Sequence, residues 1–218
     1  MHLLPSDTRS LDASEAAIDL GQAPGAIVFA SLTDSDLALA AASGLEDLRL
    51  APLQKLRHPM SVDLYVENTA KHARAIVVRL LGGMDYWRYG VEELSSAART
   101  HGIALALIPG DARPDGRLAA LSTVPAEALE TLAKYWREGG AENARASLLH
   151  AARLGGLDYG EPDEPVTVPK FGVFAWQDQA RVPSPQSGEG GRACAAILFY
   201  RSVLLSVDTA PITALASA

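Results

Sequence analysis

Short apolar runs separated by amphipathic stretches follow one another through the first 110 residues of this 218-residue chain, and that alternation narrows the fold more than any other feature. When strands alternate with helices, each strand reaches its neighbour by a crossover, and the helices come to cover both faces of a mainly parallel sheet. The pattern predicts an α/β, doubly wound, flavodoxin-like body. Residues 26–31 (Ala-Ile-Val-Phe-Ala-Ser) read as a buried strand, and Thr33 with Asp36 has the spacing of a capping box for a helix reaching about Leu45. In the next helix Val62, Tyr65, Val66, Thr69, Ala70 and Ala73 share one face, with Ser61 as expected cap and Met60 stapled against Tyr65. Residues 75–81 return as a strand, a helix then aligns Trp87, Val91, Leu94, Ala98 and His101, and residues 103–108 form a further strand.

Beyond the turn signals Pro109-Gly110-Asp111 and Pro114-Asp115-Gly116, two helices at about 125–138 and 141–154 each end at a Gly-Gly pair and read as a helical hairpin. Residues 156–193 are rich in Pro and Gly around one short apolar segment, Phe171 to Trp176, and read as a linker with one short strand. A strand from Cys194 to Tyr200 and a helix start at Asp208-Thr209-Ala210-Pro211 follow. The expected organisation is therefore a flavodoxin-like domain with hairpin at 1–155, a linker at 156–193, and at 194–218 the first βα unit of a second α/β domain that is cut short.

Charge and composition narrow the function. Nineteen basic against twenty-six acidic residues give a net charge of −7, with no basic stripe, which argues against nucleic acid as a partner. Cys194 is the lone cysteine, so neither a disulfide framework nor a multi-cysteine zinc site is available. The start of the chain lacks a basic, long apolar leader and no run approaches the roughly 18 apolar residues of a membrane span, so the expected location is cytoplasmic. There is no G-x-x-x-x-G-K-[ST] phosphate loop and no G-x-G-x-x-G fingerprint, and the histidines at 2, 58, 72, 101 and 150 lack local metal-ligand spacing. His101 reads as a helix C-terminal cap and His58 as a loop residue. Asp158, Glu161, Asp163 and Glu164 read as a solvated acidic loop, and Ser184 and Ser187 as linker residues.

The candidate binding feature is the stretch from Arg79 to Gly90, where an apolar strand runs through Gly82 and Gly83 into an aromatic-rich helix start. Glycines let backbone approach a ligand, and a guanidinium at a strand end can pair with a carboxylate. Arg79, Gly82, Gly83, Tyr86 and Trp87 are accordingly the candidate substrate-binding residues. The alternatives are a tight turn, core aromatics and a strand-end ion pair.

At Arg57-His58-Pro59-Met60-Ser61-Val62-Asp63-Leu64-Tyr65, at Arg79-Leu80-Leu81-Gly82-Gly83 through Tyr86-Trp87-Arg88-Tyr89-Gly90, and at Ile197-Leu198-Phe199-Tyr200-Arg201-Ser202 with Asp208-Thr209, the chain resembles CobN-type large subunits of aerobic cobaltochelatase. The magnesium chelatase large subunit is similar but more distant. The resemblance implies an amino-terminal part of a longer subunit that inserts Co2+ into the tetrapyrrole hydrogenobyrinic acid a,c-diamide in cobalamin biosynthesis. It further implies that Co2+ is a substrate, that separate AAA+ subunits hydrolyse ATP, that this part binds no cofactor, and that alone it is inactive. No catalytic base or metal ligand is assigned. A non-catalytic tetrapyrrole-binding or subunit-docking module of the same architecture is the alternative, and a magnesium-inserting relative a third.

Overall fold

The structure is a computed structural model that describes residues 16–111, 113–174 and 196–217. Four strands, β1 (Ile27–Ser31), β2 (Leu48–Pro52), β3 (Ala75–Leu80) and β4 (Ala104–Pro109), form one all-parallel sheet in the order β2-β1-β3-β4. Helices α1 (Asp34–Ala41), α2 (Pro59–Asn68) and α3 (Arg88–His101) make the crossovers, and α4 (Gly116–Leu121), α5 (Ala126–Glu138) and α6 (Ala141–Leu154) follow. This is the flavodoxin-like arrangement expected from the alternation, with α5 and α6 joined at Gly139-Gly140 as the hairpin.

Alternate residues of each strand enter separate cores. Val28, Ala30, Ile76, Val78, Leu80, Leu105 and Leu107 pack with α2, α3 and Leu118 of α4. Ile27, Phe29, Ala75, Val77, Ala106 and Ile108 pack with α1, α5 and α6. Burial on both faces is why the strands read as nearly unbroken apolar runs.

β2 was not foreseen, because Leu-Arg-Leu-Ala-Pro carries a charge and a proline at a sheet edge. Arg49 has a specific task there. Its guanidinium donates to the carbonyls of Ala23 (2.8 Å), Pro24 (3.0 Å) and Leu48 (3.1 Å), while Gln22 Nε2 donates to Leu50 O at 2.8 Å. The opposite rim is closed in the same way. Thr123 Oγ1 accepts from Leu105 N (2.7 Å) and donates to Ile103 O (2.6 Å), Thr123 N donates to Leu105 O (2.9 Å), and Ser122 Oγ accepts from Leu107 N (3.0 Å). Side chains thus satisfy rim groups that would otherwise recruit another strand.

Two expected caps are replaced. Thr33 precedes α1 without a side-chain cap, and Asp36 turns away from the helix end toward Ser31 and Arg79, because a charged partner outweighs a backbone N–H. α2 begins at Pro59, with His58 Nδ1 accepting from Met60 N at 3.1 Å; Ser61 is buried and accepts from Ile18 N at 2.7 Å. His101 lies exposed in the last turn of α3, which Gly102 terminates in the left-handed region.

Toward the C-terminus, Phe171–Phe174 is irregular where a short strand was expected, while Ala175 and Trp176 lie outside the described residues, as do Ser184 and Ser187. Ala196–Tyr200 has no ladder partner among the described residues, and Cys194 lies outside them. Two short helices follow, α7 (Arg201–Leu205), which was not foreseen, and α8 (Ala210–Ala216), which starts where expected.

Three measurable consequences follow from this packing. Thr123→Val keeps the shape but strips the hydroxyl from Leu105 N–H, and should lower unfolding free energy in urea by about 1–3 kcal/mol. Gly155, after α6, presses on β3's entry: a Cβ there would lie 2.5 Å from Arg74 O and 2.8 Å from Arg74 C. Both are backbone atoms, so Gly155→Ala should cost about 1–3 kcal/mol by the same assay. Burial, reinforced by Arg153 and opposed by Glu164, holds the His150 imidazole below its ordinary pKa. The folded chain then binds fewer protons than the unfolded one, so His150's contribution is intact above about pH 6.5 and is lost as pH falls below it. Urea midpoints should drop on acidification through this window, and less so in His150→Gln.

Candidate functional site

The chain leaves β1 toward one face of the sheet through α1 and leaves β3 toward the other through α3, so a crevice opens between their carboxyl ends. In open α/β sheets this switch point is where ligands bind. Ser31 and Arg79 are register partners at its floor.

On the α1/α5 side the crevice is filled from within. Arg79 follows Ala75 and Val77 on the same face of β3 and pairs through Nη1 with Asp36 Oδ1; its Nη2 donates to Gly110 O at 3.0 Å. Ser31 Oγ donates to the other oxygen of Asp36 at 2.7 Å. Arg79 also lies 5.9 Å from the Trp136 ring, which stacks on Phe29 at 4.3 Å and 16°. With side chains only 19% and 11% exposed, Arg79 and Asp36 form a shielded pair linking α1, β3 and the β4 loop.

The loop side differs. Gly82 and Gly83 have φ of +89° and +76°, the left-handed region that glycine enters without steric cost. The Tyr86 ring lies against Gly82, where a Cβ would approach Tyr86 Cδ2 to 2.5 Å, yet the residue is 70% exposed. A 3-10 turn, Met84–Tyr86, follows the glycines. Below it Asp115 Oδ2 accepts from Met84 N at 3.3 Å, and Arg117 reaches Asp85 at 3.0 Å; Asp85 also pairs with Arg88. Hydrogen bonds from Arg117 and Arg88 hold the Asp85 carboxyl below its usual range. Desolvation pushes Asp115 upward, but hydrogen bonds from Met84 N and Arg117 prevail and keep it low as well. The Tyr89 hydroxyl donates to Asp63 Oδ1 at 2.7 Å, and that bond to a carboxylate raises the phenol to about 12.

Trp87 points elsewhere. It is buried in the α2/α3 core with its indole N–H on Leu56 O at 2.7 Å, and its ring occupies the space a side chain at Gly90 would need. Of the five predicted residues, then, Gly82, Gly83 and Tyr86 meet in one loop, Arg79 lies across the sheet facing α1 and α5, and Trp87 underpins the start of α3. Asp36, Gly110, Asp115 and Trp136 escaped sequence reasoning. Local spacing marked Asp36 as a helix cap and Gly110 and Asp115 as turn residues, but the contacts that bring them to the site, to Arg79 and Met84, span 31 or more residues, and Trp136 reaches Arg79 from α5.

Elsewhere, an open concavity of about 410 Å³ lies near the amino end of β4, lined by Arg99, Gly102, Ile103, Thr123, Pro125 and Leu154 among others. Among the described residues no group of three His, Cys, Asp or Glu side chains could hold a metal ion, and no helix is long and apolar enough to cross a membrane. In the loop read as acidic and solvated, Glu161 pairs with Arg153, and Asp163 O accepts from the Tyr135 hydroxyl at 2.5 Å.

No protein-family profile matches the chain. It is 42% identical over 234 aligned residues to the aerobic cobaltochelatase subunit CobN of a Sinorhizobium species, an alignment that covers all of this chain and 18% of that protein. The Pseudomonas aeruginosa CobN subunit is 39% identical over 219 residues, covering 96% of this chain and 17% of that protein. Among solved structures, the catalytic subunit of cobaltochelatase from Mycobacterium tuberculosis superposes with a TM-score of 0.64 at 26% identity, covering 87% of this chain and 14% of that one. The chain thus spans less than a fifth of the length of these relatives. Along essentially its whole length the chain is thus homologous to one part of the CobN-type subunits of aerobic cobaltochelatase.

Proposed function

We propose that the chain is the amino-terminal part of the large subunit of an ATP-dependent cobaltochelatase, a cytoplasmic ligase complex that inserts Co2+ into hydrogenobyrinic acid a,c-diamide during cobalamin biosynthesis. The observation that carries this reading is the 42% identity to a CobN subunit along the entire chain. The lack of a phosphate-loop motif in the sequence accords with ATP hydrolysis on separate AAA+ subunits. In this role the chain itself holds no cofactor and is inactive alone, and Co2+ passes through the complex as a substrate.

Within that reading the chain's residues have distinct tasks. Tyr86, supported flat on Gly82, offers an exposed ring on which a tetrapyrrole can stack, and Gly82-Gly83 keeps side chains out of the way. Arg79 engages a ligand carboxylate only by exchanging its Asp36 partner, so the shielded pair sets a threshold for binding. Trp87 acts indirectly, fixing the start of α3 and therefore the position of Tyr86.

A second reading, a non-catalytic flavodoxin-like tetrapyrrole-binding or docking module, is favoured by the exposed apolar residues Met60, Leu81, Tyr86 and Tyr89, borne by the segments that follow β2 and β3. The third, magnesium insertion into a porphyrin, shares the architecture. In the reconstituted complex, Tyr86→Ala should raise the KM for the diamide roughly 2- to 10-fold, the worth of one aromatic stack, with kcat little changed and Tyr86→Phe restoring it. Following insertion by tetrapyrrole absorbance, an unaltered KM in Tyr86→Ala would assign this loop to docking. Turnover with Mg2+ and a porphyrin, but not with Co2+ and the diamide, would establish the third reading.

A further inference from the structure

Ala196-Ile197-Leu198-Phe199-Tyr200 is an apolar run outside any helix, with Tyr200 extended (φ −73°, ψ 143°), and it has no strand partner among the described residues. Its burial alternates. Ile197 and Phe199 are half-buried, whereas Ala196, Leu198 and Tyr200 are open to solvent, Leu198 being 95% and Tyr200 84% exposed. A strand meant to lie half in water would put polar residues at those outward positions. Here both sides are apolar, which is the composition of a strand covered on both faces.

Its surroundings extend the same surface. On the covered side Phe199 meets Phe174 edge-on at 5.8 Å, and the stretch leading to Phe174 leaves Phe171 92% exposed and Val173 largely uncovered. Contiguous aromatic and branched side chains left in water in this way mark an interaction surface, whereas scattered single ones do not. The run is also held in place. Just after it, Arg201 donates to Val168 O (2.8 Å) and Pro169 O (3.0 Å), and Gly140 N donates to Leu205 O at 2.9 Å. Leu205 rests against Gly139, so α7 is fastened to the α5–α6 turn.

We propose that Ala196–Tyr200 is an interior strand of a second sheet whose other strands come from further polypeptide of the same subunit, with α7 as the joint that sets its direction. The inference rests on the reading of the chain as part of a longer CobN-type subunit, and its basis for the occupant is that the relatives carry more than four-fifths of their length outside the matched region. The incoming polypeptide must present backbone N–H and C=O groups to the edges of the run and apolar side chains to its faces.

Hydrogen exchange read by mass spectrometry on the longer subunit and on the 218-residue chain tests this. Amides 196–200 should exchange at least about a hundredfold more slowly in the longer subunit, and near the free-peptide rate in the 218-residue chain. Leu198→Asp should leave the melting temperature of the 218-residue chain unchanged and abolish the protection in the longer one. Equal, fast exchange in both would overturn the inference and leave the functional reading standing. Protection that appears in the 218-residue chain as its concentration rises would overturn it in favour of pairing between two copies. A natural gene product of only 218 residues, found by intact mass, would overturn the functional reading and the inference together.

Discussion

An all-parallel sheet cannot be built from hairpins, and that constraint governs this molecule. Each strand is reached by a crossover, each crossover deposits a helix on one face, and the sheet is stable only when both faces are covered. Here α2 and α3 cover one face and α1, α5 and α6 the other. The reversal of strand order between β1 and β3 opens the crevice, and that crevice is bridged by the Asp36–Arg79 pair rather than left as a hollow. Shape at the candidate site therefore follows from how the layers are wound, while its chemistry follows from which polar groups the winding brings together.

The difference explains what could be read from the sequence. Elements that bury apolar side chains at a regular period, such as β1, β3, α3, α5 and α6, carry their own signature and were placed within a residue or two. β2 was missed because its Arg49 serves the sheet rim, so its pattern mixes a charge into a strand. The capping box at Thr33 and Asp36 failed for a related reason, since the spacing was right but a guanidinium 43 residues away claimed the carboxylate. Within the candidate site the glycine turn and Tyr86 were legible from local chemistry. That Arg79 and Trp87 face opposite sides of the sheet was also implicit in strand parity and helix phase, but the partners that occupy them are long-range and leave no local trace.

The family relationship and the geometry meet in one place. The chain covers under a fifth of its CobN relatives, and among the described residues two groups of exposed apolar side chains stand out, Met60, Leu81, Tyr86 and Tyr89 in the segments after β2 and β3, and Phe171, Val173, Leu198 and Tyr200 toward the C-terminus. The first group lies on the segments that leave the sheet, and the second flanks the Phe174–Phe199 edge-on contact.

The hydroxyls of Ser122 and Thr123 occupy backbone N–H groups along β4, and Arg49 with Gln22 occupies the carbonyls of Leu48 and Leu50 in β2. A further strand at either rim would first have to displace these side chains, so the two edges are guarded by hydrogen bonds that cost the fold no extra backbone.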